Sequence, residues 1–268
     1  MAFVPPAIEC RERQQRGAAS EEGQAVVEAA IILPAMIFMI LCILQLTLLQ
    51  QARLSVEYAA FNAARAGIVH NMNNGSQNNG VYGADPTSVM RNAAVYSVLA
   101  SYGRADSLNA ITTTLAKYET DDSSMRARGV PTVQVTVLNP HKADFAAFGG
   151  HLNGKEIDFD DMRPDAAAKT LLSIQVRYLF ELRVPFANKM LQSIWLASQV
   201  GLLNTWDGFL LTNIGPTGAP GVIQDGMEGG LNVSTLAALG AGGRFYMPVD
   251  AWFTMRMQSN PYLQWAAP

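Results

Sequence analysis

The most pronounced pattern in the chain is a run of uncharged, mostly apolar residues near its N-terminus. Residues Ala29–Leu49 read AAIILPAMIFMILCILQLTLL and contain no charged side chain. A helix rises about 1.5 Å per residue, so a run of this length crosses the roughly 30 Å hydrocarbon layer of a bilayer. The pattern predicts a transmembrane helix.

The same helix is predicted to continue beyond the apolar run. The following segment, RLSVEYAAFNAARAGIV, is rich in good helix formers and contains no proline. The helix is expected to end at His70, because the next residues, NMNNGSQNNG, are typical of turns and loops. We interpret this Asn-rich stretch as an exposed loop.

Two shorter helices are predicted next. Asp85 and Pro86 are typical of an N-cap and a first helical position, and this helix is expected to end at Gly103. Its predicted buried face consists of Val89, Ala93, Tyr96 and Ala100. Ser107 is predicted to cap the second helix, although the β-branched residues Thr112–Thr114 disfavour it. Its predicted stripe consists of Leu108, Ile111, Leu115 and Tyr118.

Three later segments alternate with the period of two that is typical of a half-buried strand. In the first, the predicted inward residues are Val133, Val135 and Val137, against Gln134 and Thr136. In the second they are Leu172, Ile174, Val176, Tyr178 and Phe180, against Ser173, Gln175 and Arg177. In the third they are Phe245, Met247, Val249, Ala251, Phe253, Met255 and Met257. Together these segments predict an antiparallel sheet.

Two segments separate the second predicted strand from the third. Residues 184–211 should be largely helical, with apolar Phe186, Met190, Ile194, Leu196, Val200 and Leu203. Lys189 and several polar residues argue against a second membrane span, so core packing is the preferred interpretation. A helix lying on the membrane or on another subunit is the alternative. The glycine-rich stretch 215–243 lacks the residues of a phosphate loop and is predicted to be a long loop.

Charge around the apolar run predicts its orientation. Arg11, Arg13 and Arg16 precede the run, whereas only Arg53 lies close behind it. The positive-inside rule therefore places the N-terminus in the cytoplasm and exports the rest of the chain. The run is longer than the apolar core of a cleavable secretory signal, and no good signal-peptidase site follows it. Processing is therefore expected on the cytoplasmic side, with Gly23 as the obvious position.

Cleavage between Gly23 and Gln24 would give a specific chemistry to Glu28, the acidic residue at the edge of the run. The new terminal ammonium of Gln24 would lie four residues before the Glu28 carboxylate, on the same helix face. A carboxylate in a bilayer costs about 2.5–3.5 kcal/mol, so Glu28 needs a cation or the positive end of a helix dipole. The alternative is that Glu28 only marks the water boundary and Gly23 is a flexible joint.

The region from Gly23 to Gly67 resembles the N-terminal region of TadE-like proteins, which are minor pilins or pseudopilins of tight-adherence (Tad) pilus systems. The resemblance is carried by Gly23, by Val27 and Glu28, by the early Pro34 and by Ala63–Gly67, which read AARAG. Ala29 stands where other pilins commonly have an aromatic residue. A weaker similarity to the family's closing strand covers residues 249–258.

The resemblance implies that a prepilin peptidase cuts between Gly23 and Gln24 and that Glu28 takes part in assembly, pairing with the terminal amine of a neighbouring subunit. It also implies partners: other pilin-like subunits, Tad inner-membrane assembly proteins and the lipid bilayer. The expected function is that of a minor pilin or pseudopilin in pilus assembly and surface adhesion. An uncleaved single-pass envelope protein with a ligand-binding or partner-binding outer domain is the main alternative.

The expected fold class is α+β and pilin-like. Residues 1–23 are predicted to form a cytoplasmic leader, residues 24–70 a helix with the membrane segment 29–49, and residues 71–268 an extracytoplasmic domain with an antiparallel sheet and flanking helices. The bacterial cytoplasmic membrane is the expected location, with possible incorporation into an extracellular pilus. More than two hundred residues beyond the membrane segment are too many for a short major pilin.

Composition and candidate chemistry favour a structural protein. Charged residues make up 15% of the chain and its formal net charge is -3, so nothing indicates a nucleic-acid partner. The only cysteines, Cys10 and Cys42, lie in the leader and the apolar run, which leaves no disulfide for the exported part. The histidines His70, His141 and His151 lack zinc spacing, and no cofactor or catalytic set is predicted. The acidic residues are Glu156, Asp158, Asp160, Asp161 and Asp165, interpreted as a solvated loop, with calcium binding as the alternative.

Overall fold

The computed structural model of the chain describes residues 6–69, 86–103, 106–148, 154–161, 163–199, 233–263 and 266–267. In chain order, the elements are α1 (Pro6–Val69), α2 (Pro86–Tyr102), α3 (Leu108–Arg126), β1 (Val133–Asn139), α4 (Lys142–Phe148), α5 (Pro164–Lys169), β2 (Leu171–Glu181), α6 (Ala187–Gln199), α7 (Val233–Ala241) and β3 (Tyr246–Arg256). The fold is α+β, as predicted, and begins with a long apolar helix.

Helix α1 is unbroken over 64 residues and ends at Val69, one residue before the predicted end. Its C-terminal half carries a buried stripe with alternating steps of three and four residues, which is the spacing of one helix face. The buried residues of this stripe are Gln45, Leu49, Ala52, Val56, Ala59, Ala60, Ala63, Ala64 and Ile68. The half of α1 beyond the apolar run is therefore a core element of the domain.

The three predicted strands form one antiparallel sheet in the order β1-β2-β3. Val176, in the central strand, lies opposite Val135 on one side and Ala251 on the other. All three predicted inward sets face the main core, in which α1 and α2 cover one side of the sheet. The smaller cluster on the other side consists of Met125, Val130, Leu179, Leu236, Leu239 and Tyr246.

Arg177 lies on the predicted outward face of the sheet but is buried there. Arg177 and Asp250 are paired across β2 and β3, and Arg177 Nε lies 2.8 Å from Asp250 Oδ1. The Arg177 side chain is only 7% exposed. The alternating pattern indicates the face but not the burial, and the cross-strand partner Asp250 neutralises the charge of the buried Arg177.

The buried face of α2 also differs from the prediction. Tyr96 is 63% exposed and Ala100 is exposed, whereas the buried residues are Met90, Ala94, Val95, Val98, Leu99 and Tyr102. Helix α2 packs against both α1 and β1. Because apolar residues surround most of this helix, several faces fit the spacing equally well, and the neighbouring elements decide which one is covered.

The starts of both short helices agree with the predictions where they are described. Helix α2 begins at Pro86, while Asp85 and the Asn-rich stretch 71–80 lie outside the described residues. Ser107 caps α3, and its hydroxyl accepts a hydrogen bond from the Ala110 amide at 3.2 Å. Leu108, which was predicted to belong to the apolar stripe, is 81% exposed, so this part of the prediction is wrong. It lies in the first turn, ahead of the part of α3 that packs in the core.

Between β2 and β3 the predictions are confirmed only in part. Helix α6 confirms a helix within 184–211, of which residues 200–211 lie outside the described part. Two of the apolar residues predicted for this helix are not in the core, since Phe186, just before α6, is 75% exposed and Met190 is 45% exposed. The loop predicted for 215–243 is wrong over α7, whose Leu236 and Leu239 are buried. Residues 215–232 lie outside the described part.

Candidate functional site

The candidate site is α1, which divides into two parts with different surroundings. Every residue from Val26 to Ile40 is exposed, and the first half-buried residues are Leu41 and Cys42. The exposed large side chains of this part include Val26, Val27, Ile31, Ile32, Leu33, Met36, Ile37, Phe38, Met39 and Ile40. Within the described residues, α1 is the one helix that is long and apolar enough to cross a membrane. An apolar surface on all sides of a helix is typical of a membrane span.

The predicted processing junction lies within this helix. Gly23 and Gln24 are both in α1, so the backbone at the junction is helical. Glu28 lies one turn after Gln24, about 6 Å further along the helix axis, and is exposed. The arrangement agrees with the geometry assumed for a terminal ammonium next to Glu28, while cleavage itself and the role of Glu28 stay predictions.

Pro34 lies inside α1 and does not interrupt it. Proline has no amide hydrogen, so the Ala30 carbonyl loses its intrahelical donor. Prolines of this kind occur in membrane helices because neighbouring helices or local adjustments satisfy the freed carbonyl. The position therefore offers one backbone acceptor within an otherwise apolar surface.

Gln45 joins the apolar run to the domain, and sequence reasoning missed it. Its side chain is fully buried, and Oε1 accepts a hydrogen bond from the Val184 amide at 2.8 Å. Its Nε2 has no hydrogen-bond partner among the described residues. The one possible signal was an isolated amide within the apolar run, since a buried polar group needs a partner.

The AARAG segment, Ala63–Gly67, is a packing surface in this structure. Ala63 and Ala64 are fully buried, and a Cβ on Gly67 would lie 2.6 Å from Met90 Sδ and 2.7 Å from Leu172 Cδ2. Small residues let the α1 backbone approach α2 and β2 closely. The segment that carried part of the family resemblance is thus the joint between the long helix and the domain.

Polar and aromatic contacts add to this joint. Asn62 Nδ2 donates to Ser97 Oγ at 2.9 Å, and Ser259 Oγ donates to the Ile68 carbonyl at 3.2 Å. The rings of Phe61 and Phe253 meet edge to face, with centroids 5.3 Å apart. Helix α1 is therefore held by α2, by β3 and by the segment after β3, so its direction is fixed relative to the sheet.

The acidic residues near position 160 are tied to structural partners. Glu156 Oε1 accepts a hydrogen bond from Asn260 Nδ2, Asp158 Oδ1 accepts one from the Asp160 amide, and Asp161 pairs with Arg163. Within the described ranges, no three His, Cys, Asp or Glu side chains lie close enough to hold a metal ion. His70 and His151 are outside those ranges.

Comparison with known proteins bears on α1 alone. The family model described as TadE-like protein matches residues 23–65. Comparison with curated proteins and with solved structures gives no match. The similarity of residues 249–258 to the family's closing strand stays a prediction, although β3 itself is present. Residues 23–65, which hold Glu28, Pro34 and the apolar run, are therefore a TadE-like segment, and this associates the chain with the membrane and with Tad pilus assembly.

Proposed function

We propose that the chain is a minor pilin or pseudopilin of a Tad-type pilus, processed by a prepilin peptidase and active in pilus assembly and surface adhesion. The observation that supports this best is the division of α1. Residues 26–40 expose apolar side chains in all directions, whereas the C-terminal half of the same helix is built into the domain.

An apolar surface of this extent needs a cover. Before assembly the cover is lipid, and in a pilus it is the corresponding helices of neighbouring subunits, which pack closely in place of lipid. The small residues Ala59, Ala60, Ala63, Ala64 and Gly67 are already used inside the domain. Bundling therefore falls to the exposed part of α1, including Pro34.

The fixed joint gives this packing a mechanical consequence. Gln45, Ala63 and Gly67 hold α1 against the domain without an intervening loop. The angle at which the exposed part of α1 enters a bundle then decides where the domain is displayed on the fibre surface. We propose a structural role of this kind rather than a catalytic one.

Cleavage prepares the helix for assembly in this proposal. The leader, residues 1–23, lies in the cytoplasm and the domain outside the bacterial cytoplasmic membrane. Removal of the leader places the Gln24 ammonium one helical turn from Glu28. A Glu28 that pairs with the terminal amine of the next subunit sets the register between the two helices, with the inner-membrane assembly proteins as further partners.

The test is the intact mass of the protein after co-expression with a Tad prepilin peptidase. The expected mature chain begins at Gln24. Gly23→Val should block cleavage, while the matched leader variant Gly17→Val should leave it unchanged. A full-length product from a peptidase that cleaves its own pilin in the same cells would contradict the proposal and favour the uncleaved envelope protein.

A further inference from the structure

The domain touches α1 too early for the whole apolar run to lie free in a bilayer. The run begins at Ala29, and its first buried side chain is Gln45, with Leu41 and Cys42 half-buried before it. The part before Gln45 is about 24 Å long, whereas the hydrocarbon layer is about 30 Å thick. With the whole run spanning the membrane, the edge of the domain that contacts Gln45 and Leu49 lies at the depth of the lipid tails.

That edge is formed by the segment between β2 and α6. The Gln45 side chain accepts its hydrogen bond from the Val184 amide, and α6 packs against α1. Phe186 and Met190 follow directly, one helical turn apart. They are 75% and 45% exposed, so two large apolar side chains face outward beside the apolar run.

Phe186 also has an unusual backbone. Its φ is +65°, a left-handed conformation that bulky residues rarely adopt. Strain of this kind persists where the surroundings enforce it, and it often marks a functional contact. The strain here turns an aromatic ring outward at the start of α6, where burial in lipid would stabilise it.

The charges of the segment fit a lipid surface. Residues 182–199 contain Arg183 and Lys189 and no acidic residue. Lys189 is exposed next to Met190, so its ammonium can reach the headgroups while its aliphatic stem follows the apolar side chains. Ser193, one turn further on, is exposed and polar. Only the first turn of α6 is thus suited to insertion.

We propose that Phe186 and Met190 insert into the leaflet on the domain side, beside α1, with Lys189 on anionic phospholipid headgroups. This contact fixes the height and tilt of the domain on the bilayer. The proposal rests on α1 spanning the membrane and is independent of leader cleavage.

The test uses the full chain in nanodiscs that contain anionic phospholipid, with both cysteines, Cys10 and Cys42, replaced by serine. A nitroxide at Met190→Cys should collide readily with oxygen and poorly with a water-soluble nickel complex, as a label in lipid does. A matched label at Tyr96→Cys should show the reverse. Tyr96 is exposed, and its neighbour Ser97 accepts a hydrogen bond from Asn62 of α1. Asn62 lies about 25 Å along the helix axis from Gln45, so site 96 is far from the proposed membrane contact.

A third label at Ile37→Cys separates the possible failures. If site 37 reports lipid and site 190 reports water, the inserted contact is refuted while the membrane span stands. If site 37 also reports water, the span fails as well. Dipolar broadening between labels at site 190, with neither reagent reaching them, would mean that a second copy covers this edge, and it would overturn the proposal.

A variant at Phe186 completes the test. Phe186→Asn keeps a residue that tolerates positive φ and removes the apolar ring. The nitroxide at site 190 should then lose oxygen collisions and gain nickel collisions, moving toward the values of site 96. Unchanged values at site 190 would show that Phe186 does not hold this edge in the bilayer.

Discussion

Arg91 and Asp122 form an ion pair that joins α2 to α3 above β1. Arg91 Nη2 lies 2.7 Å from Asp122 Oδ2, and Asp122 Oδ1 accepts a hydrogen bond from the Thr132 amide at 3.0 Å. The Asp122 side chain is 8% exposed, so the carboxylate bonds both Arg91 of α2 and the Thr132 amide in a buried position. The layer that carries α1 is thus connected to the sheet by a charge network as well as by apolar packing.

Asp122→Ala should lower the free energy of unfolding by about 3 kcal/mol, because Arg91 and Arg126 lose the carboxylate that both bond and the Thr132 amide loses its acceptor. Chemical denaturation of the full chain in detergent, followed by near-UV circular dichroism, measures the change. The matched control is Glu57→Ala, which removes an exposed pair with Arg53 and should cost less than about 1 kcal/mol. Equal effects of the two substitutions would contradict the structural role of Asp122.

Gly67→Ala should destabilise the domain by about 1–3 kcal/mol, because the new Cβ overlaps Met90 Sδ and Leu172 Cδ2, both in fully buried side chains. The control is a double-mutant cycle with Met90→Ala, measured by the same denaturation. Shortening Met90 removes one of the overlaps, so the two substitutions together should cost less than the sum of their separate effects. Strict additivity would show that Gly67 and Met90 do not constrain each other.

The elements of this fold could be predicted where one periodicity dominates. The three strands carry an alternating pattern that allows one inward set, and all three sets were correct. The face of α2 could not be predicted, since Ala93 and Ala94 fit a helical stripe equally well and only packing against α1 and β1 selects Ala94. Helix α7 was missed because glycines flank its Ala- and Leu-rich centre.

The part of the site that lies within one short stretch of sequence could be predicted. Glu28 and Pro34 stand out against the apolar run and lie in the predicted helix, whereas Gly23, expected at the end of a separate leader, lies in the same helix. The contact of Gln45 could not be predicted, because its partner Val184 is 139 residues away. The outward position of Phe186 likewise depends on a positive φ that the sequence does not signal.

Gln45→Ala should lower the free energy of unfolding of the domain by about 1–3 kcal/mol, because the Val184 amide loses the acceptor that Gln45 Oε1 supplies. Hydrogen exchange measured by mass spectrometry should show faster exchange in the segment around Val184. Gln50→Ala, at an exposed position of the same helix, is the matched control and should change the stability by less than about 0.5 kcal/mol. Unchanged exchange around Val184 in Gln45→Ala would rule out this hydrogen bond.

Alkaline pH should destabilise the domain. Burial raises the pKa of five tyrosines above the ordinary value, namely Tyr102, Tyr118, Tyr178, Tyr246 and Tyr262. In the unfolded chain these phenols ionise near pH 10, whereas the folded chain keeps them neutral at higher pH. The stability they contribute is complete below about pH 10 and is lost as the pH rises toward the folded pKa values.

Denaturation of the full chain between about pH 8 and pH 11 measures this effect, with phenolate absorbance recorded in parallel. Tyr102→Phe should reduce the loss of stability, since burial and then the hydrogen bond to Asp121 raise the pKa of that phenol. A stability that stays constant across this range, or a Tyr102→Phe protein with an unchanged pH dependence, would contradict the assignment.

Glu28→Gln should leave membrane insertion unchanged and reduce incorporation of the subunit into pili. The substitution keeps the size and polarity of the side chain but removes the charge that is proposed to pair with a terminal ammonium. If the pair contributes about 1.4 kcal/mol to each contact, incorporation should fall about tenfold. Quantitative immunoblotting of membrane and sheared pilus fractions measures both quantities.

Glu57→Gln, exposed in the same helix but beyond the apolar run, is the control and should assemble normally. Membrane insertion and pilus incorporation are measured separately. If Glu28→Gln were incorporated as well as the wild type, Glu28 would only mark the end of the membrane-spanning run and would have no role in assembly.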